Sequence, residues 1–254
     1  MTAENDTMQL ETYLEKGGVL TSPGNVPARY RGELMRIMAS FVDSELAGSA
    51  GFANVINDAP GIKERISAAR IVLEKTDHAE RVLKVMGEFG VDQTRYATHH
   101  DWAKRMARDA SLDSARSGTD MRLPVFHFPI EGWVDAVVMN VLMGEATGVQ
   151  LSELSRISYA PLAETFRAIA AREARHAILG YEGLTKIATT EEGRAKAKES
   201  VAYWRPRVAA SFGHAGSERF DMLKRLGLRH EPTPTLLMRW SLLVDARLAS
   251  LGLS

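Results

Sequence analysis

The sequence predicts an all-α protein built round a four-helix bundle with extra C-terminal helices. Three observations point there. The nine prolines cluster and leave long stretches free of helix breakers. Ala, Leu, Glu, Arg, Lys and Met, all good helix formers, dominate those stretches. Short β-branched runs with period two and Asn-Gly or Asp-Gly turns are nearly absent.

Each element follows from this punctuation. Residues 1–25 read as an arm, broken by Gly17-Gly18 and Ser22-Pro23-Gly24. A first long helix is expected from about Pro27 to Asn54 and a second from about Gly61 to Phe89. The polar stretch from Gly90 to Met121 is expected to hold a short helix around Trp102 to Ala110 and a loop. A third long helix begins after Pro129 and ends near Gly148, and a fourth runs from about Tyr159 to Ala188. Helices from about Glu191 to Phe212 and Ser217 to Leu226 follow, then a tail carrying Pro232 and Pro234. Residues 26–230 form the helical domain, with 231–254 a C-terminal tail packed on the bundle.

Composition narrows the function. The 254 residues are enough to bury a sizeable core. Lys+Arg and Asp+Glu are both 32, a net charge of zero that argues against nucleic acid or an anionic membrane as the main partner. The absence of cysteine removes disulfides, thiolate metal sites and cysteine nucleophiles. No apolar run is long enough to span a bilayer and Met1 to Gln9 is polar, so a cytoplasmic location is expected.

The four long helices carry charged residues where a core should be apolar. The first reads FVDSELAGSAGF and places Glu45 among small and apolar neighbours. The second reads ARIVLEKTDHAERVL, with Glu74, Lys75 and His78. The third, WVDAVVMNVLMGEATG, puts Glu145 at the end of an apolar run, and the fourth, FRAIAAREARHAILGYEGL, spaces Glu173 and His176 as E-x-x-H. Glu45 and His78 are 33 apart, and Glu145 and His176 are 31 apart. A carboxylate on one helix, then a carboxylate and a histidine one turn apart on the next, given twice, is the pattern by which ferritin-like bundles hold two iron or manganese ions. Residues three apart lie about 60° apart round a helix, so both can reach one ion. A single E-x-x-H on a solvated face is common; two half-motifs at matching spacing are not.

Further residues carry weaker signals. His99, His100 and His127 share no face with the main site and read as surface or structural groups. The basic run Lys104, Arg105, Arg108, with Arg116 and Arg122, could hold phosphates, though Asp101, Asp109 and Asp113 are interleaved with it. Met121, Met139 and Met143, with Phe126, Phe128 and Trp133, fit either a pocket lining or core packing. There is no nucleophile elbow and no phosphate-binding glycine loop.

Taken in order along residues 30 to 230, these segments resemble a known family. Asp43-Ser44-Glu45-Leu46-Ala47-Gly48, Phe126-His127-Phe128-Pro129 with Trp133-Val134-Asp135, Ser158-Tyr159-Ala160-Pro161, Glu173-Ala174-Arg175-His176, Gly180-Tyr181-Glu182, Trp204-Arg205-Pro206-Arg207-Val208 and Phe212-Gly213 are similar to the ferritin-like phenylacetate-catabolic proteins, the family of the phenylacetyl-CoA epoxidase catalytic subunit. The resemblance implies a ferritin-like bundle, two iron ions, and a monooxygenase reaction inserting oxygen into an aromatic ring held as a CoA thioester. It implies as partners a small-molecule substrate, a homologous helical subunit or a second copy of the chain, and a separate reductase. Carried over, the ligands fall on Glu45, His78, Glu145, Glu173 and His176, with Glu173 bridging.

The sixth ligand falls on Lys75, where the family has a glutamate. Three carboxylates and one ammonium balance one divalent ion, and uncompensated buried charge costs several kcal/mol. Three arrangements follow. Glu74, four residues before His78, can turn in and complete a two-metal site. A single metal can sit on the side of the third and fourth helices. Lys75 can bridge Glu45 and Glu173 as an internal salt bridge without metal. In an oxygenase, Lys75 would donate a proton or hold an oxygen intermediate; otherwise the chain would be an inert scaffold or partner subunit with a degraded site.

Overall fold

The computed structural model describes residues 10–112, 119–213 and 218–253. Residues 10–15 are helical, within the stretch read as an arm, and the helices that follow are α1 (Ala28–Asn54), α2 (Ile62–Glu88), the short α3 (Gln93–Ala97), α4 (Gly132–Leu154), α5 (Ala160–Ile187), α6 (Glu191–Ala210), α7 (Glu218–Arg225) and α8 (Thr233–Ala249). Among the described residues there is no strand, only an isolated bridge between Leu20 and Tyr159. The protein is an all-α, ferritin-like bundle. α1 packs chiefly on α2 and α4 on α5, and the two pairs meet through α2 and α5.

Helical periodicity decides what each helix buries. α1 buries Tyr30, Leu34, Met38, Val42, Glu45 and Phe52; α2 buries Ala68, Ile71, Lys75, His78, Val82 and Val85. α5 buries Leu162, Phe166, Ile169, Glu173, His176, Gly180 and Leu184. The ionic residues occupy the same inward stripe as the apolar ones, in the middle of it. α4 differs: it is buried on most sides, because α5, α6 and α8 all cover it. Where α4 and α5 cross, a Cβ at Gly144 would lie 3.0 Å from Ala177 Cβ, so a larger residue would push the two backbones apart by a few tenths of an ångström.

Three sequence expectations change. Trp102 to Ala110 is not a helix but a run of turns and extended chain. Its side chains are drawn into tertiary contacts: Trp102 Nε1 donates to the Ala97 carbonyl, and Arg105 Nη2 to the Ala47 carbonyl. The Met106 N–H donates to the His127 carbonyl. The third long helix continues past Gly148 to Leu154, held by its cover on several sides. The tail after Pro232 is the helix α8, with Pro232 as its N-cap and Pro234 in its first turn, where a missing N–H is harmless. Trp240 of α8 is buried and donates to the Leu142 carbonyl of α4. Residues 1–9, Asp113, Arg116 and Ser217 lie outside the described residues.

Candidate functional site

Midway along the bundle, α1, α2 and α5 bring Glu45, Lys75, His78 and Glu173 together, all buried. Lys75 Nζ donates to Glu45 Oε1 and to Glu173 Oε1, each at 3.2 Å. His78 Nδ1 lies 3.2 Å from Glu45 Oε2 and 3.1 Å from Glu173 Oε1. His176 Nδ1 is 3.2 Å from Glu173 Oε1, and its Nε2 reaches Glu74 Oε2 at 2.8 Å. The two imidazoles lie 5.9 Å apart, centre to centre.

Electrostatics follows from this packing. Burial alone would pull the Lys75 ammonium toward neutrality, but the carboxylates of Glu173 and Glu45 outweigh it and hold its pKa above the ordinary value. Burial likewise disfavours the His78 imidazolium, and hydrogen bonds to Glu173 and Glu45 overcome it, raising its pKa. Burial pushes Glu173 up, yet Lys75 and the two histidines carry it well below the usual carboxylate range. Lys75 and Glu173 thus hold each other in their charged forms. His78 Nε2, on the far side of the ring, is buried with no hydrogen-bond partner among the described residues.

The remaining candidates fall apart from this group. Glu145, one residue past the Gly144 contact, turns away and accepts from Arg247 Nε of α8 at 3.1 Å. Glu74 reaches the cluster only through His176. Arg105 is spent on the carbonyls of Trp102, Lys104 and Ala47. Arg108 grips Asp135 through two nitrogens and stacks on Tyr203, while Arg122 pairs with Asp120. These three guanidinium groups are thus held in contacts within the chain. His99 and His100 stack on each other and both reach Thr119, in keeping with structural roles. Phe126, Phe128, Met139 and Met143 are core, whereas Trp133 lines a cavity.

One donor atom each from Glu45, His78 and Glu173 lie within 4.8 Å of one another, a grouping that could hold a metal ion. Residues 19–254 match the family model of the phenylacetic acid catabolic proteins, PaaA_PaaC. The chain belongs to that family. Among its curated relatives is one of the subunits of the 1,2-phenylacetyl-CoA epoxidase of Escherichia coli (strain K12), 22% identical over 185 residues. The aligned part is 72% of this chain but 55% of that relative, so the chain matches only about half of the epoxidase polypeptide. No helix of this phenylacetic acid catabolic protein, among its described residues, is long and apolar enough to cross a membrane.

The lysine among the charged residues of α2 was visible in the sequence; the outward turn of Glu145 was not. The signal that could have exposed it is the adjacent Gly144, since a glycine inside an apolar helical run marks a close helix approach and so the inward direction.

Proposed function

We propose that this chain is a non-catalytic helical subunit of the phenylacetic acid catabolic family, working by assembly with a homologous subunit. One observation carries the reading: the Lys75 ammonium sits between the two carboxylates that a shared metal ion would have to bridge. The donor set does not suit a two-metal centre. Glu145 is engaged by Arg247, the inward position on that turn is Gly144, and Glu74 is engaged by His176. Lys75 supplies the positive charge that metal would otherwise supply, and the bundle keeps its shape around it. The relative is named as one subunit of an epoxidase, which supports a place within a multi-subunit enzyme.

A second reading rests on the convergence of Glu45, His78 and Glu173. With Lys75 swung aside, these three would hold one iron, and the chain would be a monooxygenase acting on an aromatic or acyl-thioester substrate with a separate reductase.

Elemental analysis of protein made in iron-supplemented medium, run beside Lys75→Glu and co-expressed with a homologous catalytic subunit, separates the two. The subunit reading expects sub-stoichiometric metal in the native chain and co-purification with the homologue. Stoichiometric iron in the native chain, with oxygen uptake on reduction, would establish the oxygenase instead.

A further inference from the structure

One turn of helix away from the ionic cluster, α1, α2, α4 and α5 leave a cavity of about 260 Å³ that none of the cluster residues lines. Its walls are apolar and include two aromatic rings: Phe52, Ala68, Ile71, Trp133 and Val137. Cavities near 150 Å³ lined by such side chains accept benzene, so this space takes one ring system with small substituents. Its outer side carries Lys63, Glu64, Glu182 and Lys186, two charges of each sign, and Lys186 is already paired with Glu64 at 2.8 Å. The mouth therefore offers no net attraction to an anion or a cation.

The inner wall holds one buried polar group, Asn140, which is 6% exposed. Its Nδ2 donates to the His176 carbonyl, which fixes the orientation of the amide. Its Oδ1 meets no donor among the described residues. A side-chain amide on the wall of an apolar cavity, with its N–H already committed, offers its oxygen to a ligand that supplies an N–H or O–H. Half-buried Ser67 lies one turn from Lys63, nearer the mouth. Glycines at 180 and 183 keep the α5 wall open; a Cβ at Gly180 would strike Asn140 Nδ2 at 2.5 Å.

We infer that this cavity is a binding site for a small uncharged aromatic molecule carrying one hydrogen-bond donor, which Asn140 Oδ1 accepts. The inference is independent of whether the ionic cluster ever holds metal.

Calorimetric titration of the full chain with indole, 1-methylindole and benzoate tests it. Indole binds, roughly three- to tenfold more tightly than 1-methylindole, the ratio one hydrogen bond of this kind supports. Benzoate binds more weakly than both, since burying its charge finds no partner. Asn140→Leu removes the preference for indole. Gly183→Leu, on a half-buried wall position near Val137, fills the space and weakens indole and 1-methylindole alike by about tenfold or more. No binding of indole, equal affinities for indole and 1-methylindole in the native chain, a preference kept in Asn140→Leu, or unchanged affinity in Gly183→Leu would each overturn the assignment.

Discussion

Lys75 Nζ lies 3.2 Å from Glu173 Oε1, and both side chains are almost wholly shielded from water. The same ammonium is equidistant from Glu45, so a single cation joins α1, α2 and α5 at mid-bundle. Such a bridge specifies how the helices meet more than it stabilises them, because desolvating the three groups offsets much of their attraction.

Removing the cation leaves two buried carboxylates facing each other. Lys75→Met is expected to cost about 3–5 kcal/mol at neutral pH, the range for breaking one side of a buried ion pair. In that variant burial still raises the Glu173 carboxyl while the Lys75 charge that offsets it is gone, so the deficit shrinks as the pH falls and Glu173 takes up a proton. Urea unfolding at pH 7 and pH 5 measures it; equal deficits at both would contradict the charge account.

Glu145 should be dispensable to the centre. Its pair with Arg247 is partly exposed, and pairs of that kind contribute about 0–1 kcal/mol. Glu145→Gln is expected to leave metal content unchanged and stability nearly so, while Glu173→Gln, inside the cluster, disrupts it. Metal loss in Glu145→Gln would restore that residue as a ligand.

The C-terminal helix is part of the core. Trp240 is 1% exposed and its indole N–H is bonded to the Leu142 carbonyl. Trp240→Ala is expected to cost about 3–5 kcal/mol, as for other buried tryptophans. Thermal unfolding would show the loss, and a change under about 1 kcal/mol would mean that α8 is a loosely attached appendage.

Acid should loosen the segment after α7. Glu153 is fully buried, and burial would raise its pKa. The His230 side chain and the N–H groups of His230 and Glu231 outweigh that and bring it down to about 2. A carboxyl lowered in the folded state contributes stability that is complete above its ordinary value and is lost as the pH falls toward 2. Amide exchange at His230 and Glu231 is expected to quicken, relative to other buried amides, between pH 4.5 and pH 2. Glu153→Gln should abolish that extra pH dependence; a persisting slope would point to another carboxyl.

Much of this was legible before the fold. The inward stripe of α5 contains Phe166, Glu173, His176 and Leu184 at helical spacing, so the 3.6-residue period alone placed the charged residues inside. The same period placed Glu45, Lys75 and His78 on the buried faces of α1 and α2. The short helix at Trp102 to Ala110 misled because its residues favour helix intrinsically, while contacts to Ala47, His127 and Asp135 pull them elsewhere. Pro232 and Pro234 were placed in a tail, yet proline is favoured at a helix start, and the structure begins α8 there.

The sequence by itself determined an all-α bundle with an ionic core that includes a lysine, because periodicity and residue type are local properties. That Lys75 takes the bridge between Glu45 and Glu173, one of the three arrangements the sequence offered, and that Glu145 stands outside it, only the tertiary structure decided. Neighbouring helix residues point about 100° apart, and the Gly144 to Ala177 contact, with α8 behind it, sets the rotation of α4. That rotation turns glycine toward α5 and glutamate toward Arg247.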